Sequence, residues 1–316
     1  MLQVTIIVAT YNPDNKKLKN TLAAACSQED VSFEIIVTDD ASRDKDFSWL
    51  PEFFKENGVT EYKILEHTEN GGTVKNCLDA VCAASGKYVF LTSPGDFLFD
   101  KRVLRDFYEF AEKNEADICF GNSVFYSDAN GEVKLTRKYG SPQRPQLYAP
   151  DKNVKTKNST FFGCDWIIGA AYFRKTTTAK KYFEQVLDVC RYTEDSSSTA
   201  FALADGSNVH YYDRNIVWYE DGTGISTAKN TKWDEILRNE NIQTVKKLKG
   251  LFPKNPYVDF LFCNLVVPGK ISRLIKKVLF HPVLFVKIAA QKKLVKAKPI
   301  NCSNGDLERL KKLLVF

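Results

Sequence analysis

The chain has 316 residues, 44% hydrophobic and 27% charged, a balance that gives a large core and excludes wholesale disorder. Its formal net charge of +6 hides an asymmetry: from Lys229 onward 19 Lys and Arg face 6 Asp and Glu, leaving 26 against 33 in the first 228 residues. The eight cysteines are scattered with no C-x-x-C pair, which argues for reduced thiols in a cytosolic protein rather than for zinc or disulfides.

In chain order the first half alternates as βαβ units do. Val4–Ala9 follows no basic leader and is predicted as a strand rather than a signal peptide. A helix near Asp14–Gln28 comes next, then a strand over 33–38, a helix near Phe47–Asn57 and a strand Tyr62–Glu66. Asn70-Gly71-Gly72 opens a helix from Thr73 to Ala84, with Gly86 expected to end it as a C-cap. Lys87–Thr92 reads as a strand running into the turn Ser93-Pro94-Gly95-Asp96. A helix over Lys101–Asn114 and a strand over Ala116–Phe120 follow. Residues 127–160, rich in Gly, Pro, Ser and charge, read as long loops. Cys164–Phe173 is expected to be buried, Thr177–Tyr192 helical, and Val209–Trp218 a strand. Beyond Thr231 the pattern is helical, and Lys270–Leu279 places Ile271, Leu274, Ile275 and Val278 opposite Lys270, Arg273, Lys276 and Lys277.

The first two strands stop abruptly at Thr10-Tyr11-Asn12 and at Asp39-Asp40. In an open parallel sheet ligands sit beyond the carboxyl ends of the strands, so these residues form a floor for a ligand rich in hydrogen-bond donors, such as a nucleotide base on its sugar.

Five motifs in order, IIVATYN, DDAS, NGG-x-x-x-N, an acidic turn after KYVFL, and Glu194-Asp195, resemble those of family-2 glycosyltransferases over residues 3–225. The resemblance implies the GT-A fold, an α/β architecture with a Rossmann-like, mostly parallel sheet flanked by helices. It implies a catalytic domain over 1–228, with a donor half of about 1–122 and an acceptor-side half of about 123–228. Residues 229–316 are left as a basic helical region. By the same resemblance Thr10, Tyr11, Asn12, Asp39 and Asp40 bind base and ribose, Lys75 pairs with the diphosphate, and Gly95 is a further nucleotide-binding position. Asp96 ligates Mg²⁺ or Mn²⁺. Many relatives carry more carboxylates in that turn, but a hard cation on a diphosphate draws most of its oxygens from phosphate and water. Asp195 is the expected general base of an inverting transfer, with Glu194, Asp165 and Trp166 on the acceptor side. Residues 218–227 stand where relatives carry a mobile loop.

Plain structural roles stand beside these: Lys75 as a surface lysine, Asp195 as a helix cap, and Trp166 as core. The implied reaction moves one sugar, from a UDP-hexose above other donors, to a polyprenyl-diphosphate-linked saccharide in capsule or related polysaccharide synthesis. No apolar run reaches the ~20 residues that span a bilayer. The basic tail is expected to lie on the inner face of the cell membrane, or else to pack on the body or on a second subunit; nothing accompanies its charge to suggest nucleic acid. A catalytically decayed GT-A protein that binds a glycan or a partner is the alternative function. A phospho-receiver domain would leave the later motifs unexplained.

Overall fold

The computed structural model describes residues 2–129, 131–163, 165–167, 169–224 and 231–314. A nine-stranded sheet forms the centre, in the order β3-β2-β1-β4-β8-β6-β9-β5, with β7 paired to β6. Strands β1 (Val4–Thr10), β2 (Phe33–Asp39), β3 (Tyr62–Glu66) and β4 (Tyr88–Thr92) are mutually parallel. The apolar runs of β1, β2 and β4 follow from burial on both faces, whereas β3, at the sheet edge, is only half-buried. Ile6, Val8, Ile35 and Val37 pack toward helices α1 (Asn15–Cys26) and α4 (Val103–Lys113). Ile7, Ile36 and Val89 pack against α3 (Thr73–Ala83) and α6 (Thr176–Val186). Helix α2 (Leu50–Glu56) joins β2 to β3.

The second half completes the sheet with β5 (Phe97–Leu98), β6 (Ile118–Ala129), β7 (Glu132–Leu135), β8 (Tyr172–Lys175) and β9 (Val209–Glu220). Strand β8 runs antiparallel to β4 and to β6, while β9 is parallel to β6. Strands β4, β6 and β9 therefore point the same way. The C-terminal ends of β1, β2, β4 and β9 share one rim with the N-terminal end of β8.

Several expectations need correction. Gly86 is not a helix C-cap: α3 ends at Ala84 in an extended conformation. The glycine is required because a Cβ there would land on the backbone of Val4 and Thr5, while its own amide donates to Thr5 Oγ1 at 2.9 Å. Gly86→Ala should cost about 1–3 kcal/mol by overpacking against backbone. Gly58→Ala, with open space but φ of +71°, should cost only the left-handed penalty of about 1–2 kcal/mol; urea unfolding compares them. Strand β6 extends past Phe120, because Gly121 admits the Ile216 side chain of β9 and the pairing shifts register there. Within 127–160 the structure has β7, a short 3-10 turn at Pro145–Tyr148 and helix α5 (Val154–Gly163). Helix α6 stops at Val186, and a separate helix, α7 (Glu194–Ala204), begins at the acidic pair.

The tail forms α8 (Thr231–Leu251), α9 (Pro256–Leu265), α10 (Lys270–Phe280), α11 (Pro282–Leu294) and α12 (Asn304–Leu314). Val245, Leu248, Val258 and Leu261 share an apolar cluster with Phe161, Phe162 and Phe201, and Leu310 joins the cluster around β1. Among the described residues no helix is long and apolar enough to cross a membrane. The described cysteines are free thiols, with Cys77 and Cys119 buried; Cys164 lies outside the described residues.

Candidate active site

The rim begins where β1 and β2 end side by side, with Thr10 in register with Asp39. Asp39 is fully enclosed. Its Oδ1 accepts from Thr10 Oγ1 at 2.9 Å and from the Ser42 hydroxyl, its Oδ2 accepts from the Ser42 amide at 2.8 Å, and Lys45 Nζ lies 3.5 Å away. A base that reaches this carboxylate therefore has to displace one of the chain's own donors. Asn12, at φ +46°, fastens the same turn: its amide donates to Ser42 Oγ at 2.6 Å, and its Oδ1 accepts from the Arg43 amide at 3.0 Å. The Tyr11 side chain, 52% exposed, is the open aromatic surface beside this shelf.

Asp40 faces the other way. Its two oxygens accept from the amides of Gly71 and Gly72 at 2.7 and 2.9 Å, which folds the NGG segment onto the rim. Arg191 closes that contact by donating to the Asn70 carbonyl (2.7 Å) and Oδ1 (2.6 Å). Lys75, on the first turn of α3, pairs with Asp79 one turn on and stays 45% exposed.

The turn after β4 contains a grouping that sequence spacing did not reveal. Gly95 takes φ +101°, and a Cβ on it would strike the Glu220 carboxylate. Asp96 accepts from the Glu220 amide at 3.0 Å. Glu220 itself accepts from Lys17 Nζ at 2.6 and 2.7 Å and from Thr223 Oγ1 at 3.2 Å. Burial, with the Glu220 charge adding to it, pushes the Asp96 carboxyl up to about 8, against the opposing effects of the Glu220 amide and Lys17. The one signal in the sequence was the kind seen at Asp39: a carboxylate ending a buried strand, here VWYE.

Two hard oxygen donors, one of them raised by burial and by its neighbour's charge, suit a divalent cation, which would relieve both effects. The expected loop over 218–227 is described only to Gly224; residues 225–227 lie outside the described residues.

Across the rim, Glu194 and Asp195 form the first turn of α7, where the helix dipole favours negative charge. Asp195 is not the N-cap; Thr193 is. Asp195 Oδ2 accepts from the Gly169 amide at 2.8 Å and Oδ1 from the Ser196 amide at 2.5 Å. Burial, then the Asp195 charge, holds Glu194 well above the ordinary carboxylate range. Beneath them Arg174 of β8 is buried, with its guanidinium 4.0 Å from the Tyr172 ring and no hydrogen-bond partner for Nε or Nη2. Burial lowers its pKa, and the Asp195 and Glu194 charges oppose that. Glu240 of α8 braces the approach to α7 by accepting from the amides of Arg191, Tyr192 and Thr193 at 3.0 to 3.2 Å. Neither Arg174 nor Glu240 carries a signal in linear spacing.

Asp165 and Trp166 are used by the fold. Asp165 accepts from the amides of Gln143 and Arg144 at 2.9 and 2.7 Å, and Trp166 stacks on Phe161 at 5.3 Å.

These raised carboxyls set a pH dependence of stability. A carboxyl with a higher pKa folded than unfolded binds more protons in the native state, so stability falls as pH rises from the unfolded value to the folded one. For Asp96 that window runs from 3.8 to about 8, and Glu194 acts in the same direction. His210, lowered to about 4 by burial and by Lys157, raises stability with pH only below the ordinary imidazole value of 6.5. Between pH 6.5 and 8 the protein free of metal should therefore lose roughly 1.5 kcal/mol through Asp96 alone. Urea unfolding of wild type and Asp96→Asn checks this; equal slopes would contradict it.

The model for glycosyl transferase family 2 matches residues 5–176 of this chain. An uncharacterized glycosyltransferase of Methanocaldococcus jannaschii is 26% identical over 132 residues, a match spanning 41% of this chain and 44% of that protein. S. aureus TarS 1–349 in complex with UDP superposes with a TM-score of 0.61 at 17% identity, covering 93% of this chain and 78% of that one. The mannosyltransferase PcManGT of Pyrobaculum calidifontis, in complex with GDP-Man and Mn²⁺, superposes at 0.55 with 13% identity, covering 99% and 85%. At these identities the two structures establish the fold, and the family match, spanning more than half of the chain, establishes the lineage: the chain belongs to glycosyl transferase family 2 and has the GT-A fold.

Proposed function

We propose that the enzyme transfers one hexose from a UDP-hexose, with inversion, to a saccharide on polyprenyl diphosphate in capsule or related surface-polysaccharide synthesis. Residues 1–228 are the catalytic body, and the enzyme works peripherally at the cytoplasmic face of the membrane. The observation that carries this reading is the common rim: Thr10, Asp39 and Glu220 end parallel-pointing strands, Asp96 lies in the turn after β4, and Asp195 is anchored to Gly169 just before β8.

On this reading the base rests on Tyr11, and the Thr10–Asp39–Ser42 group keeps the shelf in place. Lys17 and Lys75 exchange their present carboxylate partners for the diphosphate, whose charge exceeds that of a single carboxylate. Asp96, with Glu220 beside it, would hold a Mg²⁺ or Mn²⁺ ion that supplies positive charge to the leaving nucleoside diphosphate when bound. The acceptor hydroxyl gives its proton to the Asp195 carboxylate as its oxygen attacks the anomeric carbon opposite the departing UDP. Glu194, kept protonated by burial, leaves Asp195 as the proton-accepting member of the pair. Asp165 and Trp166 support the acceptor-side wall. The ligands of the neighbours, UDP with TarS and GDP-Man with Mn²⁺ in PcManGT, support a nucleotide-sugar donor and a divalent cation.

A thermal-shift screen of UDP-, dTDP- and GDP-sugars, with Mn²⁺ or with EDTA, tests the donor. A UDP-hexose at ~100 times its dissociation constant should stabilise by about 2.7 kcal/mol, and only with metal. Binding without transfer to any saccharide acceptor would instead favour a glycan- or partner-binding module.

A further inference from the structure

Helix α10 is inside out. Two of its four cations face the protein: Arg273 Nε donates to the Val267 carbonyl at 2.5 Å, and Lys277 Nζ donates to Asn264 Oδ1 at 3.0 Å while lying over the Phe260 ring, whereas Lys270 and Lys276 are exposed. No residue of the helix is buried, and its apolar stripe is turned outward. Nine of the fifteen strongly exposed large apolar side chains among the described residues fall between Ile271 and Leu294. The most exposed include Ile271, Leu279, Phe280, Val283 and Val286, at 66 to 81%, which carry the stripe from α10 around the Phe280–Pro282 corner into α11. Around it, residues 270–300 contain nine Lys and Arg and no Asp or Glu.

The corner is held firmly. His281 Nε2 lies 2.8 Å from Asp259 Oδ2, and Asp259 is also paired with Lys249. The opposite side of α11 is built into the acceptor-side wall. Ile288 lies over Gly163, and Gln291 Nε2 donates to Ser159 Oγ at 3.1 Å. Arg144, whose amide donates to Asp165, sends its side chain to the Val295 carbonyl at 2.7 Å.

We propose that the α10–α11 corner is a docking surface for an anionic lipid bilayer, with its apolar stripe in the interface and its exposed lysines, Lys270 and Lys276 among them, on the headgroups. A bilayer satisfies both features at once. A second copy of this chain does not, because an isologous contact would set one all-cationic surface against its twin. An eleven-residue helix rises only about 16 Å, so it lies in the interface and does not span it. The links from α11 to Gly163 and Arg144 would fix the acceptor side relative to the lipid surface. This purpose rests on the lipid-linked acceptor proposed above; the docking itself does not.

The test is flotation of the full-length protein with vesicles of phosphatidylcholine alone or mixed with phosphatidylglycerol, at low and high salt. The bound fraction should be at least about tenfold higher on the anionic vesicles at low salt and should fall with salt. The triple variant Ile275→Asp, Leu279→Asp, Val283→Asp should lose that binding. These side chains are 50 to 81% exposed, so the fold should persist, as UDP-dependent thermal shift verifies. Undiminished binding by the triple variant would overturn the proposal. So would a wild-type chain that ignores both vesicles, or one that self-associates through this surface and loses the association in the variant. Vesicle binding with no transfer to any lipid-linked saccharide would overturn the acceptor reading and leave docking standing.

Discussion

Asp195→Asn should lower kcat by about 10²–10⁴-fold while leaving nucleotide binding unchanged. The asparagine keeps the shape of the side chain and can still accept through its one oxygen from the Gly169 amide, now 2.8 Å from Asp195 Oδ2. It cannot take a proton from the acceptor hydroxyl. UDP release with acceptor present, and UDP-dependent thermal shift on the same sample, separate the two effects. Glu194→Gln should be milder in activity, because burial and the Asp195 charge already keep Glu194 protonated at neutral pH. An Asp195→Asn enzyme that retained more than about a tenth of its activity would place the base elsewhere.

Asp96→Asn should cost several kcal/mol of transition-state stabilisation, about 10²-fold or more in kcat/KM, and should abolish the response to Mn²⁺. The pH profile makes the test specific. With its carboxyl pushed up to about 8, Asp96 has to release a proton to take a cation. Apparent Mn²⁺ affinity in the presence of UDP should therefore rise by up to about tenfold per pH unit from 6 to 8 and then level off. Titration calorimetry at several pH values reads this directly. A flat profile would remove Asp96 from the metal site. Glu220→Gln should have a smaller effect, and it should weaken the tie to Lys17, now made by two contacts of 2.6 and 2.7 Å.

Strands β1 and β2 were legible because each is buried on both faces and stops at a polar rim residue, so hydrophobic run and motif coincide at Thr10 and Asp39. Gly86 misled because a glycine needed for close backbone approach and one needed at a helix end look the same in a sequence. Helix α5 was hidden for a different reason. Its segment VKTKNSTFFG has little apolar periodicity, and its hydroxyls are buried by tertiary contacts: Thr160 Oγ1 donates to the Thr156 carbonyl at 2.8 Å, and Gln291 arrives from 131 residues away. Arg174 and Glu240 act across the fold on Asp195 and the turn before α7, and no local pattern records such partners; Glu220 left only the trace of a carboxylate ending a buried strand. Asp40 and Asp165, read in the sequence as ligand contacts, accept from backbone amides of distant loops, and Trp166, read either as acceptor wall or as core, stacks on Phe161; contacts of this kind leave no mark in linear spacing.

The most direct test of the shared rim is a crystal structure with UDP and Mn²⁺, with the ion located by its anomalous scattering. The ion is expected beside Asp96, the base on the Thr10–Tyr11 shelf, and Asp195 facing the space beyond the β-phosphate. UDP bound at any other surface, or an ion away from Asp96 with Asp195 shut off from the nucleotide, would contradict it.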